Sequence, residues 1–153
     1  MLNSDYKDIL LALSARKVKF LLVGAYAMAA HGYPRSTMDI DLWIMPEQEN
    51  AALVIKALED FGAPISGLSP EDFQEEGMIF QIGVAPRRID ILTSVDELKF
   101  DEAFANSESI EIDGIPVNVL SVADLIKNKS ATGRTKDLAD VETLTAQGLT
   151  QRH

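Results

Sequence analysis

Asp39 and Asp41 stand one residue apart in RSTMDIDLWIM, residues 35–45, inside a run that otherwise reads as buried strand. Charge is expensive in such a place unless something binds it. Side chains alternate along a strand, so Ile40, Leu42 and Ile44 share one face while Asp39, Asp41 and Trp43 share the other. Two strand rises put the two carboxylates about 6–7 Å apart at their bases, close enough to repel and to bracket a cation. An isolated acidic pair also suits a strand edge facing water. Asp90 adds a third carboxylate, in RRIDILTS, where the flanking isoleucines must face a core. Three oxygen donors without His or Cys suit Mg²⁺ or Mn²⁺ better than zinc. A salt bridge from Arg87 or Arg88 is the alternative role for Asp90.

Ahead of the acidic pair, VGAYAMAAHG reads as the end of a strand, a glycine turn and a short alanine-rich helix stopped by Gly32 and Pro34. A strand that turns into a helix at Gly24 aims unpaired backbone N–H groups at whatever lies beyond, which makes an anion site. The same junction also serves as an ordinary tight turn. A phosphate held there would lie beside the carboxylates.

The elements around these residues follow from their periodicity. Tyr6, Ile9, Leu10 and Leu13 fall on one helical face, with Ser4 placed to cap it. Residues 18–23 and 38–45 read as strands, and EQENAALVIKALEDFG as a helix with Val54, Ala57, Leu58 and Phe61 on one stripe. Residues 62–77 read as a surface loop with a turn of helix. MIFQIGV and RRIDILTS are two strands broken at Ala85 and Pro86, and ELKFDEAFANS is a short helix. Alternating isoleucines and valines on either side of Asp113-Gly114 predict a hairpin. Ser121 caps a further helix, and a last one runs from about Thr135 to Gln147. The expected class is α/β (α+β): a mixed, mostly antiparallel sheet flanked by helices, in one domain over residues 1–153.

The chain has 153 residues and is 46% hydrophobic, enough for one real core. It has no cysteine, which removes disulfides, thiol nucleophiles and thiolate metal sites. Its apolar runs are too short to cross a bilayer and MLNSDYKDIL does not resemble a secretory signal, so a cytoplasmic protein without membrane contact is expected. A formal charge of −10 disfavours nucleic acid as a partner, although basic residues gather modestly between Lys127 and Lys136.

Together, LLVGAYAMAAHGYPRSTMDIDLWI resembles the signature of the polymerase-beta-like nucleotidyltransferase superfamily: a strand, a glycine-led helix, Asp-x-Asp on the next strand and a third Asp on a later one. LIKNKSATGRTKDLADVETL is similar to the closing segment of small bacterial members, with Lys129, Arg134, Lys136 and Asp137 in the recurring positions. The resemblance implies a minimal nucleotidyltransferase that moves a nucleoside monophosphate from an NTP to a hydroxyl on a protein, an RNA end or a small molecule. It implies Asp39, Asp41 and Asp90 as catalytic metal ligands for Mg²⁺ or Mn²⁺, and nucleotide contacts from Gly24, Ala25, Arg35, Thr37 and Lys129. One departure stands out: the family usually has Gly-Gly or Gly-Ser where this chain has Gly24-Ala25, which keeps the N–H but has no hydroxyl. The alternative is therefore a degenerate member that binds a partner, as in a toxin–antitoxin pair; small members often work beside a separate partner protein, and a partner or a second subunit could complete the site of this nearly minimal chain. A metal-dependent phosphatase or nuclease also uses clustered carboxylates, but the glycine-led helix argues against it. His31 is placed either to bond phosphate or ribose or to be satisfied within the fold, and Trp43 to stack on a base or pack in the core.

Overall fold

The computed structural model describes residues 2–33, 39–84, 87–132, 139 and 141–145. Helix α1 (Ser4–Ala15) buries the predicted stripe of Tyr6, Ile9, Leu10 and Leu13 completely. Its cap is Asn3 rather than Ser4: the Asn3 Oδ1 accepts from the Tyr6 amide at 2.9 Å, and Ser4 already lies in the helix. Both residue types cap well, so a one-residue shift is beyond what local pattern decides. Strand β1 (Phe20–Val23) runs directly into helix α2 (Gly24–Ala30), and strand β2 (Ile40–Ile44) follows. Helix α3 (Gln48–Phe61) ends at Gly62, whose φ of +91° makes the left-handed stop that glycine adopts freely.

The loop after α3 holds one 3-10 turn, Pro70–Phe73, anchored by a fully buried Phe73. Then come strands β3 (Ile79–Ile82) and β4 (Ile89–Leu92), helix α4 (Phe100–Ala105), strands β5 (Glu108–Ile112) and β6 (Ile115–Val119), and helix α5 (Val122–Thr132). The β5–β6 hairpin turns through Asp113 and Gly114 with φ of +49° and +83°, the double left-handed turn that matches strand twist. Ser121 caps α5 as predicted, its Oγ accepting from the Asp124 amide at 3.1 Å. Of the helix expected near 135–147, residues 139 and 141–145 are helical, and the others lie outside the described residues.

The six strands order as β3-β4-β2-β1-β6-β5. The β2–β4 and β1–β6 pairs are parallel and the other three antiparallel, giving the mixed, mostly antiparallel sheet that was expected. Helix α1 packs along α3, α3 on β2, and α2 on β1, β2 and α5. Among the described residues no helix is long and apolar enough to cross a membrane.

One consequence of this order positions the site. Because β1 runs against β2 and β4 runs with it, the C-terminal end of β1 and the N-terminal ends of β2 and β4 meet at one end of the sheet. Val23 pairs with Asp41, and Asp41 pairs with Asp90.

Candidate active site

The strand register brings the predicted carboxylates together. Asp41 and Asp90 are direct partners across the parallel β2–β4 pair, and Asp39 immediately precedes β2. Burial pushes the Asp41 carboxyl up to about 6, helped by the negative charge of Asp90, a hydrogen bond shared with Asp90 and the charge of Asp39, while Arg88 opposes the rise. Asp90 itself is 8% exposed. Two carboxylates this close, and this far from water, favour a shared proton or a bound positive charge.

Gly24 belongs to the same cluster. Its φ is +69°, and a Cβ built there would collide with the Asp41 Oδ2. The glycine is thus required twice, by its left-handed backbone and by the carboxylate lying against it. Ala25 follows, half-buried, and the α2 start has no side-chain cap.

Arg88 brings positive charge into the cluster. Its Nε donates to the Asp90 Oδ1 at 2.8 Å and its Nη2 to the Asp90 Oδ2 at 3.2 Å. The same Nη2 lies 3.0 Å from the Asp39 Oδ2. The Arg88 backbone is held as well: its N–H donates to the Asp39 Oδ1 at 3.2 Å, while its carbonyl accepts from the Ile40 amide at 3.0 Å and from the Tyr6 hydroxyl at 3.2 Å. Tyr6 is buried against the ring of Tyr26, edge to face at 5.5 Å. Burial, Tyr26 and the three aspartates push its hydroxyl up to about 12.

The donor types fit a hard divalent cation, which prefers oxygen ligands. The arrangement as it stands does not: among the described residues no three His, Cys, Asp or Glu side chains are disposed to hold one metal ion. Arg88 bonds the Asp39 and Asp90 oxygens that such an ion would use.

A family model described as "Nucleotidyl transferase of unknown function (DUF2204)" matches residues 2–151. The chain belongs to this nucleotidyl transferase family. No curated protein matches it. Among solved structures, the fold is similar to that of the candidate nucleotidyltransferase TM1012 from Thermotoga maritima, with a TM-score of 0.58 at 16% identity over 99% of this chain and 96% of that one. It is also similar to the lincosamide antibiotic adenylyltransferase LnuA in its lincomycin-bound form, with a TM-score of 0.61 at 15% identity over 95% and 97% of the two chains. A third match is the antibiotic-resistance factor ANT(2'')-Ia, with a TM-score of 0.59 at 21% identity over 95% of this chain and 83% of that one. At these identities the likeness is one of fold.

Within this family member, the other sequence candidates separate. Lys129 is buried on α5, the helix that packs on α2. Arg35, Thr37, Arg134, Lys136 and Asp137 lie outside the described residues. His31 takes the structural role, with its Nε2 2.8 Å from the Leu120 carbonyl and its Nδ1 3.6 Å from Glu108. Trp43 is 1% exposed and packs edge to face on Phe100 at 5.2 Å, so core packing is its role too. A cavity of about 620 Å³ opens past Trp43, toward the C-terminal ends of β2 and β4, lined by Met45, Glu47, Thr93, Asp96 and Phe100.

Sequence reasoning undervalued Arg88 and missed Tyr6. Arg88 sits two residues before Asp90, and that spacing already puts both side chains on one face of a strand. Its second partner, Asp39, is 49 residues away, and Tyr6 is 82 residues from Arg88, so no local pattern links them.

Proposed function

We propose that this chain transfers a nucleoside monophosphate from an NTP to a hydroxyl acceptor, with Asp39, Asp41 and Asp90 as the charged centre. The observation that carries the proposal is the register of Asp41 opposite Asp90, with Gly24 lying against the Asp41 carboxylate at the same sheet end. In the reaction the acceptor oxygen attacks the α-phosphate, the bond to the β-phosphate oxygen breaks, and pyrophosphate leaves. Asp90 takes the hydroxyl proton, since a carboxylate within reach of the attacking oxygen serves as general base. The N–H groups of Gly24 and Ala25 receive the terminal phosphates, and Arg35, Thr37 and Lys129 add charge and hydrogen bonds to the nucleotide. As they stand the three carboxylates do not enclose an ion; a divalent ion, Mg²⁺ or Mn²⁺, would need Asp39 and Asp90 released from Arg88 before they and Asp41 could hold it, and would then supply neutralisation of the triphosphate and activation of the hydroxyl. The solved complexes of similar fold, one with lincomycin and one ANT(2'')-Ia complex with adenylyl-2''-tobramycin, support testing small hydroxylated acceptors first.

A binding protein without transfer chemistry, working with a protein partner, is the alternative, and the Arg88 clamp on Asp39 and Asp90 is the observation that favours it. Incubation with α-labelled NTPs, Mg²⁺ or Mn²⁺ and hydroxylated acceptors decides between them. Label should reach an acceptor with the parent chain and fall at least about a hundredfold with Asp41→Asn, the scale on which charge-stabilising groups contribute. The Asp41→Asn variant should melt at the same temperature as the parent or higher, because a neutral amide relieves the carboxylate crowding. Equal labelling by both chains would remove Asp41 from the chemistry.

A further inference from the structure

Arg88 is bound at both ends of its residue. Its backbone is fixed by Tyr6, Ile40 and Asp39, and its guanidinium spans Asp39 and Asp90. The fork is two-pronged on Asp90, the geometry in which a guanidinium binds a carboxylate best. A guanidinium cannot lose its proton to leave such a site, so it leaves only by moving. The means to move are present: the Arg88 side chain keeps 31% of its surface exposed, while the Asp90 side chain keeps 11%. The tether is pinned and the head group lies at the rim.

We propose that Arg88 is a resident cation that competes with divalent metal for Asp39 and Asp90. This rests on the metal-binding role proposed above for the three aspartates. The Asp39 Oδ2 and both Asp90 oxygens that Arg88 bonds are the oxygens a hard cation would take, so the two occupancies exclude each other. With no ion bound, Arg88 neutralises the crowded carboxylates and holds them in place. When an ion enters, Arg88 swings outward with its positive charge beside the site. The chain thus binds a divalent ion less tightly than it would without Arg88.

The test is Mn²⁺ binding, read from the loss of the free-ion electron paramagnetic resonance signal and needing no turnover. Arg88→Met should bind Mn²⁺ about tenfold or more tightly than the parent, since displacing a charge-assisted pair is worth at least that factor. Its metal-free form should melt lower than the parent, and Mn²⁺ should restore the difference. Arg88→Lys, which keeps the charge without the fork, should fall between the two and carries the same test if Arg88→Met does not fold. Asp41→Asn should abolish Mn²⁺ binding in every background, assigning it to this site. Equal or weaker binding by Arg88→Met overturns the competition while leaving metal binding intact. Absence of binding by all of these chains overturns the metal role itself, and the competition with it.

Discussion

A methyl group at position 24 would have to share space with the Asp41 carboxylate and hold a backbone angle that L-residues avoid. The left-handed conformation alone costs about 1–2 kcal/mol, and the collision adds to it. Gly24→Ala should therefore lower the unfolding free energy by roughly 2–3 kcal/mol in urea, and a loss under about 0.5 kcal/mol would show that Asp41 moves aside freely. Tyr6 permits a second test. Its hydroxyl is raised from 10.0 to about 12, so the folded chain prefers the protonated form more than the unfolded chain does. The stabilisation is complete below pH 10 and disappears as pH rises through about 12. Burial also raises the Tyr26 hydroxyl, so a phenolate absorbance titration should show more than one late-ionising tyrosine, and the latest step should vanish in Tyr6→Phe. The same variant should lose about 1 kcal/mol of stability with the hydrogen bond to Arg88.

Between elements, Asn50 joins α3 to the ends of β1 and β2. It is 4% exposed, its amide donates to the Lys19 and Met45 carbonyls at 3.0 Å each, and its Oδ1 accepts from the Lys19 amide at 2.8 Å. Asn50→Leu removes three hydrogen bonds, although the Lys19 and Met45 carbonyls keep the Met45 and Glu47 amides as donors, and should destabilise by about 1–3 kcal/mol, measured by thermal or urea unfolding. That junction was not legible beforehand, since an asparagine in the first turn of a helix looks like any polar residue. The helix stripe of α1, the alternation in β2 and β4 and the Asp-Gly hairpin were legible because each depends on neighbours within a few residues. The three aspartates were legible for the same reason, since alternation decides which way a strand residue points. What alternation leaves open is pairing. The Asp41–Asp90 register and the Arg88 link to Asp39 depend on β4 lying parallel to β2, a choice made by the whole sheet.

At the scale of the molecule, that choice gathers three carboxylates at one end of a chain that already carries a formal charge of −10. Two of its arginines are paired within the chain: Arg88 on Asp39 and Asp90, and Arg16 with Asp60 at the surface at 2.7 Å. In the proposed reaction a triphosphate would be received by local donors against an unfavourable overall field, whereas a polynucleotide would meet that field along its length. Non-specific nucleic-acid binders reach dissociation constants near roughly 10⁻⁴–10⁻⁶ M by releasing counterions from basic patches. This chain should instead show no saturable binding to labelled duplex DNA or single-stranded RNA up to about 100 µM at physiological salt. Fluorescence anisotropy checks it, with a salt series as the decisive part. If the basic residues between Lys127 and Lys136 outweighed the net charge, affinity would climb steeply as salt falls. A flat response would remove polynucleotides as partners and leave the nucleotide proposed above, at the sheet end where Gly24 meets Asp41, as the anion to test.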